Sequence, residues 1–309
     1  AVGDIARYVA RRGTLNMFGQ EPLDGLVDAD VGRLHYDYIA FVGNQGPDIA
    51  ASYGEVRNRC ELQSGGAAVF IGAGGPMGQM HVQRAIELSD GPTLVIATEV
   101  DDKRLQAVRE RFAPLAEKQG VELLIYNPLT ADESLYDFVM RATDNVGADD
   151  VVVSVPIASI MAEAATLMNP DGMLVFFAGV PNGTLAPLDF SPVYLHNAQF
   201  TGTSGLTMDD QAQVMHGALD GSLSPARLVA AIGGMNAARD AMEAVMASRY
   251  PGKIVIFPQI PDLDLMGLDE LAEKLPEIAA KLGEGNLWTK EAEEALIEAY
   301  WPRPEAGEE

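Results

Sequence analysis

Four glycines in one short stretch carry the first readable chemistry. Gly72, Gly74, Gly75 and Gly78 lie in the run Val69-Phe70-Ile71-Gly72-Ala73-Gly74-Gly75-Pro76-Met77-Gly78. The apolar residues Ala67 to Ile71 before them read as a buried strand, and the pattern from Met77 to about Leu88 reads as a helix. Strand, glycine turn and helix open a dinucleotide-binding βαβ unit. Gly72 allows the tight turn, Gly74 lets backbone approach a pyrophosphate, and Gly78 lets the helix pack closely on the strand. The first amides of such a helix have no internal partner, and the helix dipole favours negative charge there. The spacing is irregular. Gly75 adds a residue and turns G-x-G-x-x-G into G-x-G-G-x-x-G. By itself the motif also suits a purely structural strand-to-helix turn.

A carboxylate strengthens the reading. The next apolar run, Thr93 to Thr98, ends in Glu99, 21 residues after Gly78. An acid about 20 residues past the glycines is expected to hold the adenosine ribose. It would accept hydrogen bonds from both ribose hydroxyls and repel a 2′-phosphate, so NAD is favoured over NADP. Arg104, five residues on, softens that preference.

The elements around this pair set the scale. The chain has 309 residues, enough for one large or two ordinary domains, and 48% of them are hydrophobic. No apolar run reaches the length of a membrane span, and no signal peptide opens the chain. The single cysteine, Cys60, excludes an internal disulfide and points to a cytoplasmic protein. A net charge of -24 argues against nucleic acid and anionic membrane as partners. It does not argue against an anion held by backbone amides. The chain begins Ala1-Val2-Gly3 without an initiator Met and reads as part of a longer protein.

In order, the pattern predicts a helix end at Ile5 to Arg12, a strand at Thr14 to Phe18, and a loop from Glu21 to Gly32. A strand follows at Leu34 to Val42 and a helix at Ile49 to Leu62, with Cys60 a small buried residue on it. Gln63-Ser64-Gly65-Gly66 reads as a linker. After the glycine turn, strands at 93–98, 121–126, 150–155 and 173–177 alternate with helices at 102–117, 131–143 and 158–168. That alternation implies a doubly wound parallel sheet, a Rossmann α/β fold. A strand at 199–202, helices at 208–219 and 237–247, and a strand at 253–257 follow. Residues 262–283 and 289–301 read as an acidic helical tail whose Leu268, Leu271, Leu275 and Ile278 share one face and pack on the body.

A repeat is also visible. Phe41-Val42-Gly43-Asn44-Gln45-Gly46 recurs as Phe200-Thr201-Gly202-Thr203-Ser204-Gly205, an offset of 159, at which Asp30 also matches Asp189. Helix and strand upstream match too, Ile5–Phe18 against Met161–Phe177. The expected division is therefore a partial Rossmann-like unit over 1–62, a complete dinucleotide-binding unit with its closing segment over 63–258, and the tail over 259–309.

From Val69 to Pro258 the chain resembles the medium-chain dehydrogenase/reductase family, the zinc-type alcohol and polyol dehydrogenases. Several segments carry the resemblance. They are Gly72 to Gly78, Thr98-Glu99-Val100-Asp101-Asp102-Lys103-Arg104-Leu105, and Asn169-Pro170-Asp171-Gly172-Met173-Leu174-Val175 followed by Ala178-Gly179-Val180-Pro181. Phe200 to Gly205 and Gly252-Lys253-Ile254-Val255-Ile256 complete it. Within the family, the acidic tail and the turn from Gly74 to Arg84 are similar to reductases acting on sugar phosphates. The resemblance implies cofactor contacts at Gly72, Gly74, Gly75, Pro76, Met77, Gly78, Glu99, Arg104, Ser154, Val155, Ala178, Gly179, Val180 and Thr203. It implies hydride transfer between a nicotinamide and an alcohol, polyol or sugar-phosphate substrate. It also implies a homodimer or tetramer, often built on the edge of the sixth strand, near Gln199 to Gly202.

The family's catalytic zinc needs three protein ligands. Cys60 and the four histidines, His35, His81, His196 and His216, offer no such set, so zinc is expected only in a catalytic domain outside this chain. His81, one turn into the helix after the glycines, reads as structural, and no catalytic residue is assigned. Three other readings compete. A short-chain dehydrogenase needs a Tyr followed four residues later by Lys, which the chain lacks. A methyltransferase fits the order of elements after 173 poorly. A non-catalytic nucleotide-binding or dimerising module remains open.

Overall fold

The computed structural model describes residues 2–53, 59–202 and 204–301. The described residues form two compact units, divided between Ala212 and Gln213. The expected boundaries at 62/63 and 258/259 lie inside these units.

The first unit opens with α1 (Val2–Ala6), β1 (Thr14–Phe18), β2 (Val27–Asp30), α2 (Val31–Tyr36) and β3 (Ala40–Asn44). It continues with β4 (Ala67–Ile71), α3 (Pro76–Glu87), β5 (Leu94–Thr98), α4 (Asp102–Gln119), β6 (Glu122–Tyr126), α5 (Leu135–Ala142) and β7 (Ala148–Val153). Then come α6 (Ala158–Ala165), β8 (Met168–Phe176), β9 (Leu185–Leu188), α7 (Ser191–Leu195) and β10 (Gln199–Thr201). Six strands form one sheet in the order β10-β8-β7-β4-β5-β6, every neighbour parallel. Counted along the chain, that order is 3-2-1-4-5-6, the doubly wound dinucleotide-binding arrangement, which is the fold expected. The central strand explains itself. Ala67, Ala68, Val69, Phe70 and Ile71 are all buried, as an unbroken apolar run must be when helices cover both faces.

The stretch expected to be a linker is fastened instead. Asp150, fully buried at the start of β7, accepts the Gln63 amide at 2.7 Å and pairs with Arg59 Nη1 at 2.6 Å. Burial pushes the Asp150 carboxyl up, and the Gln63 amide and Arg59 pull against that. Asp149 accepts the Ala67 amide at 2.8 Å. Cys60, expected to be buried on a helix, is exposed and lies outside any helix. The helix expected over 49–62 is one 3-10 turn, Ile49–Ser52, capped by Asp48; residues 54–58 lie outside the described part.

The repeat is a physical symmetry. The Cα partners Thr14–Ala40, Leu15–Phe41 and Asn16–Val42 of β1 and β3 recur 159 residues later as Met173–Gln199, Leu174–Phe200 and Val175–Thr201 of β8 and β10. Tyr38 (φ 54) and Asn197 (φ 69) share the left-handed turn before each second strand. The two halves face each other. A Cβ at Gly43 would stand 2.5 Å from both Met17 O and Tyr194 Cβ; at Gly202 it would stand 3.1 Å from Phe176 O and 3.2 Å from His35 Cα. These are the same contacts with the halves exchanged. β2 and β9 pair antiparallel around Asp28 and Pro187, with Val27–Leu188 and Ala29–Ala186 on either side. That is a local two-fold axis. Phe190 packs between the two halves, 4.5 Å from the Phe41 ring and 5.2 Å from the Phe200 ring. Each such buried ring contributes roughly 1.5–3 kcal/mol. The edge near Gln199–Gly202, expected to be open to a second subunit, therefore lies against the chain's own α2 and β3.

Three other local readings change. The loop expected over 21–32 contains β2, whose partner β9 is remote in sequence. The strand expected over 34–42 is split: α2 ends at Tyr36 and β3 begins at Ala40. Asp30 decides this by capping α2 at the Arg33 amide, 3.1 Å away. The helix expected over 5–12 ends at Ala6, where the Arg33 guanidinium takes the carbonyls of Ala6, Arg7 and Val9.

The division between units falls within α8 (Met208–Asp220). The second unit holds β11 (Val229–Gly234), α9 (Ala238–Met246), β12 (Lys253–Phe257), β13 (Met266–Gly267), α10 (Leu271–Lys274), α11 (Pro276–Ala279) and α12 (Lys290–Tyr300). Its sheet runs β12-β11-β13. Leu268, Leu271, Leu275 and Ile278 bury against Val229, Ile232 and Phe257, so the tail does pack its apolar face. It is broken rather than continuous, because Pro276 starts a new turn. No described helix is long and apolar enough to cross a membrane.

The symmetric seam gives a direct test. Gly43→Ala should destabilise the chain by about 1–3 kcal/mol, because backbone at Met17 O cannot yield. Gly25→Ala, where a Cβ meets nothing within 4 Å, should leave the melting temperature nearly unchanged. Equal melting of the two variants would refute the close-packed seam.

Candidate functional site

The site is built where the strand order reverses, between β4 and β7. Gly72 leaves β4 at φ 79, a left-handed conformation that glycine adopts without strain. Its amide and that of Ala73 donate to Thr98 O at 3.1 and 2.8 Å, which ties the turn to the end of β5. Pro76 takes the first helical position, where a missing N–H costs nothing. The Gln79 amide donates to Gly75 O at 2.9 Å and closes the first turn of α3. A Cβ at Gly78 would collide with Gly72 O and the Ala73 backbone, so α3 can sit this close only on glycine. Gly75 differs. A Cβ there would meet nothing nearer than Gly72 O at 3.8 Å. A small side chain could therefore be accommodated at position 75, unlike at Gly78.

The expected partners converge on this turn. Glu99, 7% exposed, accepts the Gly74 amide on Oε2 at 3.1 Å. Its Oε1 accepts the amides of Val100 at 2.8 Å and Asp101 at 3.3 Å. A carboxylate has about four acceptor positions, so three amides orient it and leave room for one further donor. The expected pair of ribose hydroxyls would have to displace an amide. The Arg104 Cβ borders Gly74 as well, 2.7 Å from a Cβ built there. Ser154 donates its amide to Ile71 O at 2.9 Å, and Val155 Cγ2 stands 2.6 Å from a Cβ built at Gly72. Ala178 donates its amide to Val153 O at 2.9 Å, and Gly179 beside it is exposed. Val180 is different. Its side chain is buried in the core and its carbonyl faces Gly32. Met77 is 39% exposed at the helix mouth. Thr203 lies outside the described residues.

His81 lies on α3 between aromatic rings, 6.4 Å from Phe70 and 4.3 Å from Phe177. Its Nε2 is buried without a hydrogen-bond partner. Burial lowers its pKa to about 4, so it is a neutral structural ring at neutral pH. Sequence reasoning missed His35 and Tyr36, which reach Gly179 from α2. The offset of 159 pairs His35 with Tyr194, the one sequence signal that touches this segment. Among the described residues, no group of three or more His, Cys, Asp or Glu side chains could hold a metal ion.

No family model matches the chain. Mannitol-1-phosphate 5-dehydrogenase of Aliivibrio fischeri is 30% identical over 250 residues, 77% of this chain and 58% of that protein. L-sorbose 1-phosphate reductase of Klebsiella pneumoniae is 30% identical over 240 residues, 75% of this chain and 55% of that protein. The chain belongs to the medium-chain dehydrogenase/reductase family. It spans a little over half the length of these curated relatives. Among solved structures, 2R,3R-butanediol dehydrogenase of Bacillus subtilis superposes with a TM-score of 0.51 at 20% identity, covering 64% of this chain and 52% of that one. That likeness bears out the Rossmann fold.

His81 makes stability depend on pH in one direction. Its folded pKa of about 4 lies below the ordinary 6.5, so the unfolded chain binds the proton more readily. The contribution is complete above pH 6.5 and is lost as pH falls toward 4, by up to about 3 kcal/mol. Chemical unfolding of His81→Phe at several pH values should show a flatter slope than the parent across that window; parallel slopes would contradict the assignment.

Proposed function

We propose that this chain is the dinucleotide-binding portion of an NAD-preferring dehydrogenase or reductase acting on alcohols, polyols or sugar phosphates. The observation that carries the reading is the contact between the Gly74 amide and the Glu99 carboxylate at the mouth of α3. It fixes a buried acid beside the glycine turn. A diphosphate there is held by the positive end of α3. The neighbouring ribose donates a hydroxyl to Glu99, and a 2′-phosphate would meet the same carboxylate and be repelled. Val100 and Leu129, 53% and 75% exposed, flank the adenine side, with Asn127 bonding both the Val100 carbonyl and the Leu129 amide.

When bound, the nicotinamide would donate or accept hydride at its C4. This chain's residues orient it. The loop at Ala178–Gly179 and the residues at Ser154 and Val155 line the side of the crevice opposite Glu99. The described residues do not fit a catalytic zinc. The mannitol 1-phosphate and L-sorbose 1-phosphate enzymes among the relatives support a sugar-phosphate substrate for the whole protein.

Thermal-shift and fluorescence titrations with NADH, NADPH and S-adenosylmethionine test the reading. NADH should raise the melting temperature most. Glu99→Ala should weaken NADH by roughly tenfold, the loss of one charge-assisted hydrogen bond, and narrow the gap to NADPH. Unchanged affinity for both nucleotides, or stabilisation by S-adenosylmethionine alone, would overturn it.

A further inference from the structure

We infer that His35, Tyr36 and Tyr38 are positioning residues for the nicotinamide half of the dinucleotide, supplied by the partial unit to the complete one. The inference rests on the dinucleotide reading of the glycine turn. With the diphosphate at α3 and the adenosine ribose at Glu99, the second mononucleotide must run toward the ends of β7, β8 and β10. Residues 35–38 hold two of those ends.

The contacts are specific. His35, 7% exposed, bonds Phe176 O through Nδ1 at 3.0 Å. A carbonyl only accepts, so Nδ1 carries the proton and the other ring nitrogen, Nε2, is turned toward Gly179. A Cβ at Gly179 would run into the Tyr36 hydroxyl and stand 3.3 Å from His35 Nε2. The Tyr36 ring packs edge-on against His35 at 4.5 Å. The backbone of His35 also abuts Gly202, 3.2 Å from Cα and 3.3 Å from N to a Cβ built there. Tyr38 donates its hydroxyl to Ser204 O. Arg11 and Arg12 stack on the Tyr38 ring at 5.6 and 5.5 Å and hold it there.

One short segment thus clamps the exits of β8 and β10 together. The partial unit supplies the wall of the crevice. It keeps the strand pair and the helix that face the other half, and the helix ends on the loop nearest the expected nicotinamide.

The experiment compares NADH with ADP-ribose, which lacks the nicotinamide, by fluorescence and calorimetric titration of the intact chain. Tyr36→Ala and Tyr38→Phe should each weaken NADH by roughly five- to tenfold, about the worth of one well-placed contact, and leave ADP-ribose within about twofold. His35→Asn, which keeps a donor for Phe176 O, should retain more NADH affinity than His35→Ala. Equal weakening of both ligands would mean a merely structural role and would overturn the inference. So would unchanged NADH binding in all the variants. If the parent chain bound NADH no more tightly than ADP-ribose, this inference would fail while the dinucleotide reading stood. If it bound neither, both would fall.

Discussion

The structure depends on how closely α3 can approach β4. Gly78 has no room for even a methyl group against Gly72 O and the Ala73 backbone. That seat brings the mouth of the helix within reach of the ends of β4, β5 and β7 at once. Gly72 and Ala73 then bond Thr98 O, Ser154 bonds Ile71 O, and Gly74 bonds Glu99. A bulkier residue would tilt the helix away, and the amides and the acid would no longer converge. The chemistry of the site is backbone chemistry, and three glycines hold the backbone in place.

The second constraint is the local two-fold. Sheet edges are a hazard unless something covers them. Here the covering element is a copy of the edge itself, with β1 and β3 standing to β8 and β10 as β8 and β10 stand to them. The glycines at 43 and 202 let the two layers meet across backbone. Because the contact is self-complementary, any element placed at one half has a counterpart at the other. His35 and Tyr194 show how the counterparts diverged. Tyr194 donates its hydroxyl to Glu21 O, whereas His35 bonds Phe176 O and presents its other nitrogen to Gly179.

What was legible in the sequence follows from where the determining forces act. The buried parallel strands were readable because both faces are covered and the residues are apolar without interruption, as in β4 and β5. Strand β12 was found at its observed limits. The glycine turn and Glu99 were readable because local backbone needs dictate residue type. β2 was not readable, because its only warrant is an antiparallel partner at Leu185–Leu188. α2 was misread as strand, because Leu34, Ile39, Phe41 and Val42 fit an extended run until the Asp30 cap is counted. Val180 matched a motif yet turned inward, since a motif fixes the loop and not the direction of each side chain. The burial of Asp150 against Arg59 likewise has no local signature, and it turned an expected linker into a fixed strap.

A chain of net charge -24 proposed to hold an anionic dinucleotide has an electrostatic problem to solve. The distant part of that charge is screened, since at physiological ionic strength the field of an exposed charge decays over about 8 Å. The near part is set by what faces the diphosphate. At the helix mouth this is the positive end of α3, with Arg104 beside Gly74. Glu99 already accepts three amides, which disperses its charge, and in the proposed complex it meets a neutral ribose rather than phosphate. An acidic surface and an anion site can therefore coexist in this fold. On the proposed reading the anion is met at short range by the dipole of α3 rather than by lysine side chains.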